Sequence, residues 1–247
     1  MLSGTVLVTG GAKRLGATIA RVVTRAGAKV VIHYGRSRDE AVALADELDG
    51  VTVQGDLADP SAVAGLFARA VEASGGPIDA LVNSASAFEE DRPERIDPAL
   101  AARLYAINCT APTLLTSAMA AQGREGAVVN LLDQKLANPN PDYFSYTLSK
   151  AALESATVLM AQAFAPILRV NAVAPGLTLP SGGQSDAAFE AIASRNLLRK
   201  PVGAQRVAEA VTYLLGAKAV TGQTLFVDCG QRFVRSDRDV MFEVADA

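Results

Sequence analysis

The strongest constraint on this chain is an alternation. Short apolar runs rich in branched side chains are each followed by a turn and then by a stretch of helical length. The runs are Thr5–Thr9, Lys29–Tyr34, Val51–Gln54, Ile78–Asn83, Gly126–Leu132, Leu168–Ala174 and Leu225–Val227. Helical stretches fall between them at Leu15–Ala26, Asp39–Leu48, Pro60–Ser74, Pro98–Gln122, Leu148–Ala165 and Ala204–Gly216. Continuous apolar strands are buried on both faces, and crossover helices make successive strands parallel. The expectation is one α/β domain over 1–247: a doubly wound, seven-stranded parallel sheet with helices on both faces. At 247 residues and 50% hydrophobic, the chain can bury the core such a sheet needs. Ligands on such sheets bind beyond the carboxyl ends of the strands.

The first of those ends reads Thr9-Gly10-Gly11-Ala12-Lys13-Arg14-Leu15-Gly16. Glycines let backbone approach a pyrophosphate, and the helix N-terminus favours its charge. Glycine also serves any tight turn that needs positive φ. The strand before and the helix after select the dinucleotide reading, a Rossmann arrangement. NAD enzymes of this kind place an acid about twenty residues further on, against the ribose hydroxyls. Here the first acid after the second strand is Asp39, and the zone before it holds His33, Arg36, Ser37 and Arg38. Cations crowd a helix start only against the dipole, so with Arg14 they point to an extra phosphate. The expected cofactor is NADPH.

A second concentration of chemistry lies between Asp133 and Lys150. Asn138-Pro139-Asn140-Pro141 must be loop, because neither a helix nor a central strand accommodates both prolines. Tyr146 and Lys150 follow four residues apart, so they share a helix face. A nearby ammonium lowers a phenol pKa from its usual ~10 and prepares it to hand a proton to a substrate. By itself the pair could equally be a surface Tyr beside a solvated Lys.

The pair does not stand alone. The Gly-rich turn, Asn83-Ser84-Ala85-Ser86, Asn108, Tyr146/Lys150 and Pro175-Gly176 occur in that order, and the chain resembles the short-chain dehydrogenase/reductase family over nearly its whole length. The Gly-rich turn, Asn83 to Phe88 and Asp133 are similar to its pteridine reductase and dihydromonapterin reductase branch. The resemblance implies Tyr146 as the acid, Lys150 and Asn108 as its proton relay, and Asp133 as an additional proton source. It implies cofactor contacts from Gly10, Arg14, Leu15, Gly16, His33, Arg36, Ser37, Asp56, Leu57, Asn83, Ala85, Tyr146, Lys150, Pro175, Gly176 and Thr178. Asp56 either meets the adenine or caps a turn. Substrate contacts fall to Ser86, Phe88, Asp133 and Tyr146, with the Phe88 ring either stacking on a pterin or plugging the core. Residues 179–202 correspond to a substrate lid, and 231–247 form a charged tail with no function legible in it. The family usually forms tetramers, and the small residues Ala151, Ala152, Ser155 and Ala156 suit a homotetramer of D2 symmetry.

Asp133 stands where ketone-reducing members ordinarily have Ser. An ionised carboxylate cannot donate to a developing oxyanion and repels it. A C=N bond makes the opposite demand, since its nitrogen must be protonated. The expected function is therefore NADPH-dependent hydride transfer to a dihydropterin-type C=N substrate. A ketone or 3-oxoacyl reductase of the same fold is the alternative. A non-catalytic NADPH-binding regulator is another, although sensing needs no proton relay. A net charge of −3 and a pI near 5.3 argue against nucleic acid or anionic membrane as partner. One His leaves little for a metal site, two Cys fit a reducing cytoplasm, and a strand five residues from Met1 leaves no room for a signal peptide.

Overall fold

The computed structural model describes residues 2–180, 185–239 and 242. Among the described residues, seven strands form one parallel sheet in the order β3-β2-β1-β4-β5-β6-β7. They are β1 (Thr5–Thr9), β2 (Lys29–Tyr34), β3 (Val51–Gln54), β4 (Ala80–Asn83), β5 (Gly126–Leu131), β6 (Leu168–Pro175) and β7 (Thr224–Val227). Strand order reverses between β1 and β4, the place where a doubly wound sheet opens a crevice. The fold class read from the alternation is the one observed.

Two apolar cores lie on opposite faces of the sheet. On one, α1 (Arg14–Arg25), α2 (Arg38–Leu48) and α8 (Ala204–Gly216) bury Ile19, Val23, Leu44, Val207 and Val211, with α1 on β1 and β2, α2 on β2 and β3, and α8 on β5 and β6. On the other, α3 (Pro60–Ser74), α5 (Ala111–Ala120) and α6 (Phe144–Phe164) bury Leu66, Phe67, Leu115, Met119 and Ala161. Buried on both faces, the strands leave only their ends and loops to meet a ligand.

Three sequence expectations change in detail. The continuous helix Pro98–Gln122 is α4 (Pro98–Tyr105), a π-helical turn at Ala106–Thr110 and then α5. Pro112 is the physical reason: it has no N–H for the carbonyl of Asn108, and its ring crowds that carbonyl. The ladder shifts by one residue, with the Ala111 amide donating to the Ala106 carbonyl. The helix expected from Leu148 begins at Phe144. Its first turn is capped from afar, because Asp91 Oδ1 accepts from the Ser145 amide at 2.8 Å and Oδ2 from the Ser145 hydroxyl. The fourth strand starts at Ala80 rather than Ile78, whose amide and carbonyl pair with the Gln122 side chain instead.

Within the segment expected to be a lid, α7 (Asp186–Ala193) is helical, while 181–184 lie outside the described residues. The tail runs through a short 3₁₀ turn at Gln231–Phe233 and packs near the carboxyl ends of the strands. Residues 240–241 and 243–247 also lie outside the described set.

The β1–α1 turn is the tightest joint in this frame. A Cβ on Gly16 would stand 2.1 Å from the Gly10 carbonyl oxygen, which is backbone and cannot swing away. Gly16→Ala is expected to cost about 1–3 kcal/mol, seen as a lower midpoint of chemical denaturation. An unchanged midpoint would mean the turn has room that the structure denies.

Candidate active site

The cofactor side is built around the Gly-rich turn. Gly10 takes φ +62°, and a Cβ there would meet Ala85 Cα at 2.9 Å. Thr9 Oγ1 accepts from the amides of Ser84 and Ala85 at 3.0 and 3.1 Å, which ties the loop after β4 to the end of β1. Asn83 is 2% exposed; its Nδ2 donates to Asn130 Oδ1 at 2.8 Å, and Asn130 in turn donates to Thr157 on α6. Asn83 Oδ1 is buried without a hydrogen-bond partner among the described residues. A helix start without an acid, a turn that a Cβ would fill and an orphaned buried acceptor together fit a bound dinucleotide.

The structure corrects the assignment of His33 to the phosphate cluster. Its ring is 2% exposed, its Nδ1 accepts from the Gly10 amide at 3.1 Å, and its Nε2 lies 3.1 Å from the Gly55 carbonyl. Nε2 must therefore carry the proton, and the ring bolts β2 to the Gly-rich turn and to the loop after β3. Burial pulls its pKa down to about 4, so it is neutral and cannot attract phosphate. Arg36 and Ser37 stay at the solvent-facing start of α2. Arg14, at φ 51°, donates to the Pro180 carbonyl at 2.7 Å. Lys13 pairs with Glu40, an acid of the first turn of α2. Asp56 is an exposed turn cap accepting from the Ala58 amide at 2.9 Å, with Leu57 buried beside it. The loop of Pro175, Gly176 and Thr178 is pinned by Gln231, whose Oε1 accepts from the Leu177 amide at 3.0 Å. Thr178 donates back to the Gly176 carbonyl at 2.7 Å.

On the reaction side, Tyr146 Oη donates to Asp133 Oδ2 at 2.9 Å, and the Lys135 amide donates to Asp133 Oδ1 at 2.8 Å. Tyr146 is 5% exposed, and Lys150 Nζ lies 5.8 Å from its ring centroid while donating to the Leu131 carbonyl at 2.7 Å. The expected lowering of the phenol pKa is overturned. Burial, and then the carboxylate of Asp133, raise it well above 10. Burial likewise pushes Asp133 up and draws Lys150 down to about 8. The phenol is thus held protonated, as a donor must be.

Asn108 sits in the π-turn with no exposure. Its Oδ1 accepts from the Ala87 amide and the Ser86 hydroxyl, and its Nδ2 donates to the Ala87 carbonyl and Ser149 Oγ. Its side chain holds the loop of Ser86 against α6. Phe88 is 43% exposed and stacks on Tyr143 at 4.0 Å, with Tyr146 edge-on at 4.7 Å. It is a wall, not a core plug.

Sequence reasoning missed several residues here. Tyr143, with φ 54°, shares the aromatic wall, and Gln134 Oε1 is buried without a partner among the described residues on the same cleft. Lys135, Asp142 and the tail residues Arg238 and Asp239 form an ionic cluster behind them. Tyr143 was not reachable from helix periodicity, because it is the left-handed residue just before α6 begins. Nor was the tail, because its partners lie about a hundred positions away in sequence.

A family model described as enoyl-(acyl carrier protein) reductase matches residues 10–232. Pteridine reductase 1 of Leishmania tarentolae is 32% identical over 279 residues, covering 93% of this chain and 96% of that protein. Dihydromonapterin reductase of Klebsiella pneumoniae is 26% identical over 231 residues, covering 92% and 95%. The crystal structure of FolM alternative dihydrofolate reductase 1 from Brucella canis, complexed with NADP, superposes with a TM-score of 0.89. It is 40% identical and covers 95% of this chain and 96% of that one.

His33 is the one histidine of the sequence, and it makes a pH prediction. Unfolded, it titrates near 6.5; folded, near 4. The unfolded chain binds the extra proton between those values. The contribution, about 3 kcal/mol, is complete above pH 6.5 and is lost as pH falls towards 4. His33→Gln should therefore flatten the fall in denaturation midpoint between pH 7 and pH 4.5. A variant with an equally steep fall would remove His33 from this role.

Proposed function

The chain belongs to the short-chain dehydrogenase/reductase family, and on that premise we propose that it is an NADPH-dependent pteridine reductase acting on a C=N bond of a dihydropterin-type substrate. The observation that carries this reading is the hydrogen bond from Tyr146 Oη to Asp133 Oδ2 at 2.9 Å. It puts an acid–base pair where a carbonyl reductase needs a neutral donor. The relatives named for pteridine and dihydromonapterin reduction, and the NADP complex of the Brucella protein, support the same substrate and cofactor.

NADPH, when bound, supplies the hydride. The residues of this chain do the rest. Gly10, Gly16 and the start of α1 receive the pyrophosphate, Asn83 and Ala85 border the nicotinamide half, and Arg14, Arg36 and Ser37 take the extra phosphate. The Phe88 face, backed by Tyr143, offers a flat ring a surface to stack on. Gln134 Oε1 offers an acceptor for the amino protons of a pterin.

Tyr146 Oη holds the proton that the substrate nitrogen requires, and Asp133 Oδ2 lies close enough to exchange it. Burial raises the Asp133 pKa, which favours its carboxyl taking up a proton. Lys150 places a positive charge behind the ring to offset the charge left when the proton moves. A ketone would instead leave growing oxyanion charge beside Asp133, which disfavours the carbonyl reading.

For assembly, we read a D2 homotetramer in the cytoplasm. Exposed Leu148 and Leu159 on α6 and Leu114 on α5 suit pairing of these helices across two-folds. Cys109 and Cys229 are unpaired, and no helix among the described residues is long and apolar enough to cross a membrane.

Asp133→Ser is expected to lose dihydropterin reduction by about 10²–10⁴-fold, while an activated ketone is reduced as well as before or better. Steady-state kinetics of both forms on both substrates decides it. Pterin reduction untouched by the change, or a ketone preferred by the unmodified enzyme, would refute the reading. Arg36→Asp should weaken NADPH by roughly ten- to a hundredfold, the loss of a charge-assisted contact of about 1.5–3 kcal/mol, and leave NADH unaffected. Fluorescence titration with both nucleotides measures this. Equal affinity of the unmodified enzyme for the two would overturn the cofactor assignment.

A further inference from the structure

The charged tail, opaque in the sequence, ends its path against the reacting centre. Lys135 follows Asp133 by two residues and grips in two directions. Its backbone amide donates to Asp133 Oδ1 at 2.8 Å. Its ammonium, on a residue only 4% exposed, donates to Asp239 Oδ2 at 2.9 Å and to Asn140 Oδ1 at 2.6 Å. An ammonium removed from water in this way requires an anion, and Asp239 supplies it.

Asp239 is itself anchored. Its amide and Arg238 Nε both donate to Asp142 Oδ2 at 2.8 Å, and Arg92 donates to Asp142 Oδ1 at 2.6 Å. Asp142 has no exposure and immediately precedes Tyr143, whose ring stacks on Phe88. Phe242 continues the stack 5.9 Å behind Tyr143, with the Arg238 guanidinium 4.8 Å over the Phe242 ring. The tail therefore clasps both ends of the loop between β5 and α6, at Lys135 and at Asp142. Between those clasps Val234, Arg235 and Ser236 line the cleft that also contains Asp133 and Phe88.

We propose that the C-terminal segment 234–239 is a fixed wall of the substrate cleft and that Asp239 is a positioning residue for the reaction, acting on Asp133 through Lys135. The inference rests on the placement of Asp133 at the reacting centre. Without the Asp239 carboxylate, the Lys135 ammonium must turn towards water. The turn that carries its amide follows, and Asp133 Oδ1 loses the donor that sets the carboxylate against Tyr146. An error of about 1 Å at such a site costs on the order of 10²-fold in rate.

The test is a double-mutant cycle on the full chain with NADPH and a dihydropterin. Asp239→Asn and Lys135→Met should each lower kcat/KM about ten- to a hundredfold, with the Kd for NADPH unchanged. The double variant should be no worse than either single one, because both break the same link. Asp239→Glu should recover part of the rate, a rescue that a purely structural role would not tie to charge. Losses that multiply in the double variant would overturn the proposal. So would an Asp239→Asn enzyme that melts earlier but keeps its kcat/KM. If the unmodified enzyme turns over an activated ketone and no dihydropterin, the pterin reading fails. The same cycle run on the ketone then still decides whether Asp239 positions the site.

Discussion

A single phenolic proton shared between Tyr146 and Asp133 sets the demands on everything around it. Tyr146 is buried and Asp133 half-buried, and burial raises the pKa of each. A half-buried carboxylate facing a buried phenol is stable where its remaining lone pairs have a donor and a cation stands near. The Lys135 amide supplies the first and Lys150 the second. The loop between β5 and α6 is therefore held at several points, since a small slip would leave an unpaired charge.

How that holding is achieved follows from the chemistry of the backbone. Pro112 disrupts the helix ladder and creates the π-turn that carries Asn108. Asn108 donates its amide to the Ala87 carbonyl and to Ser149, which ties the loop after β4 to the second turn of α6. Asp91 caps α6 from another loop, which fixes where the helix begins and hence where Tyr146 points. The polar chain Asn83–Asn130–Thr157 runs through the apolar interior and registers β4, β5 and α6 to one another. On the cofactor side, the neutral ring of His33 does the same for β1, β2 and β3.

The two halves of the crevice thus use different materials. Towards the pyrophosphate the chain relies on glycine and on backbone donors, because an anion is best met by N–H groups that cost no side-chain ordering. Towards the substrate it uses aromatic faces and titratable groups, because a flat heterocycle must be both stacked and protonated. Cys229 at φ 52° shows the same economy failing at the edge. There a side chain accepts a left-handed backbone.

Sequence by itself determined the sheet, its strands and the chemistry at their ends. Those depend on short-range periodicity, on glycine in turns, and on the fixed spacing of Tyr146 and Lys150 along one helix face. The placing of Asp133 beside Tyr146 came from the family resemblance, not from local pattern. Burial and long-range contacts were beyond it. Whether His33 was a phosphate ligand or a bolt depended on which atoms filled both sides of its ring. Whether the phenol of Tyr146 rose or fell in pKa depended on how far burial and Asp133 outweigh Lys150. The role of the tail depended on Lys135 and Asp142 meeting residues 104 and 96 positions away. Local pattern reports the conformations a segment prefers, whereas the energy of a charge is set by whatever the folded chain packs around it. Only the tertiary structure decides that.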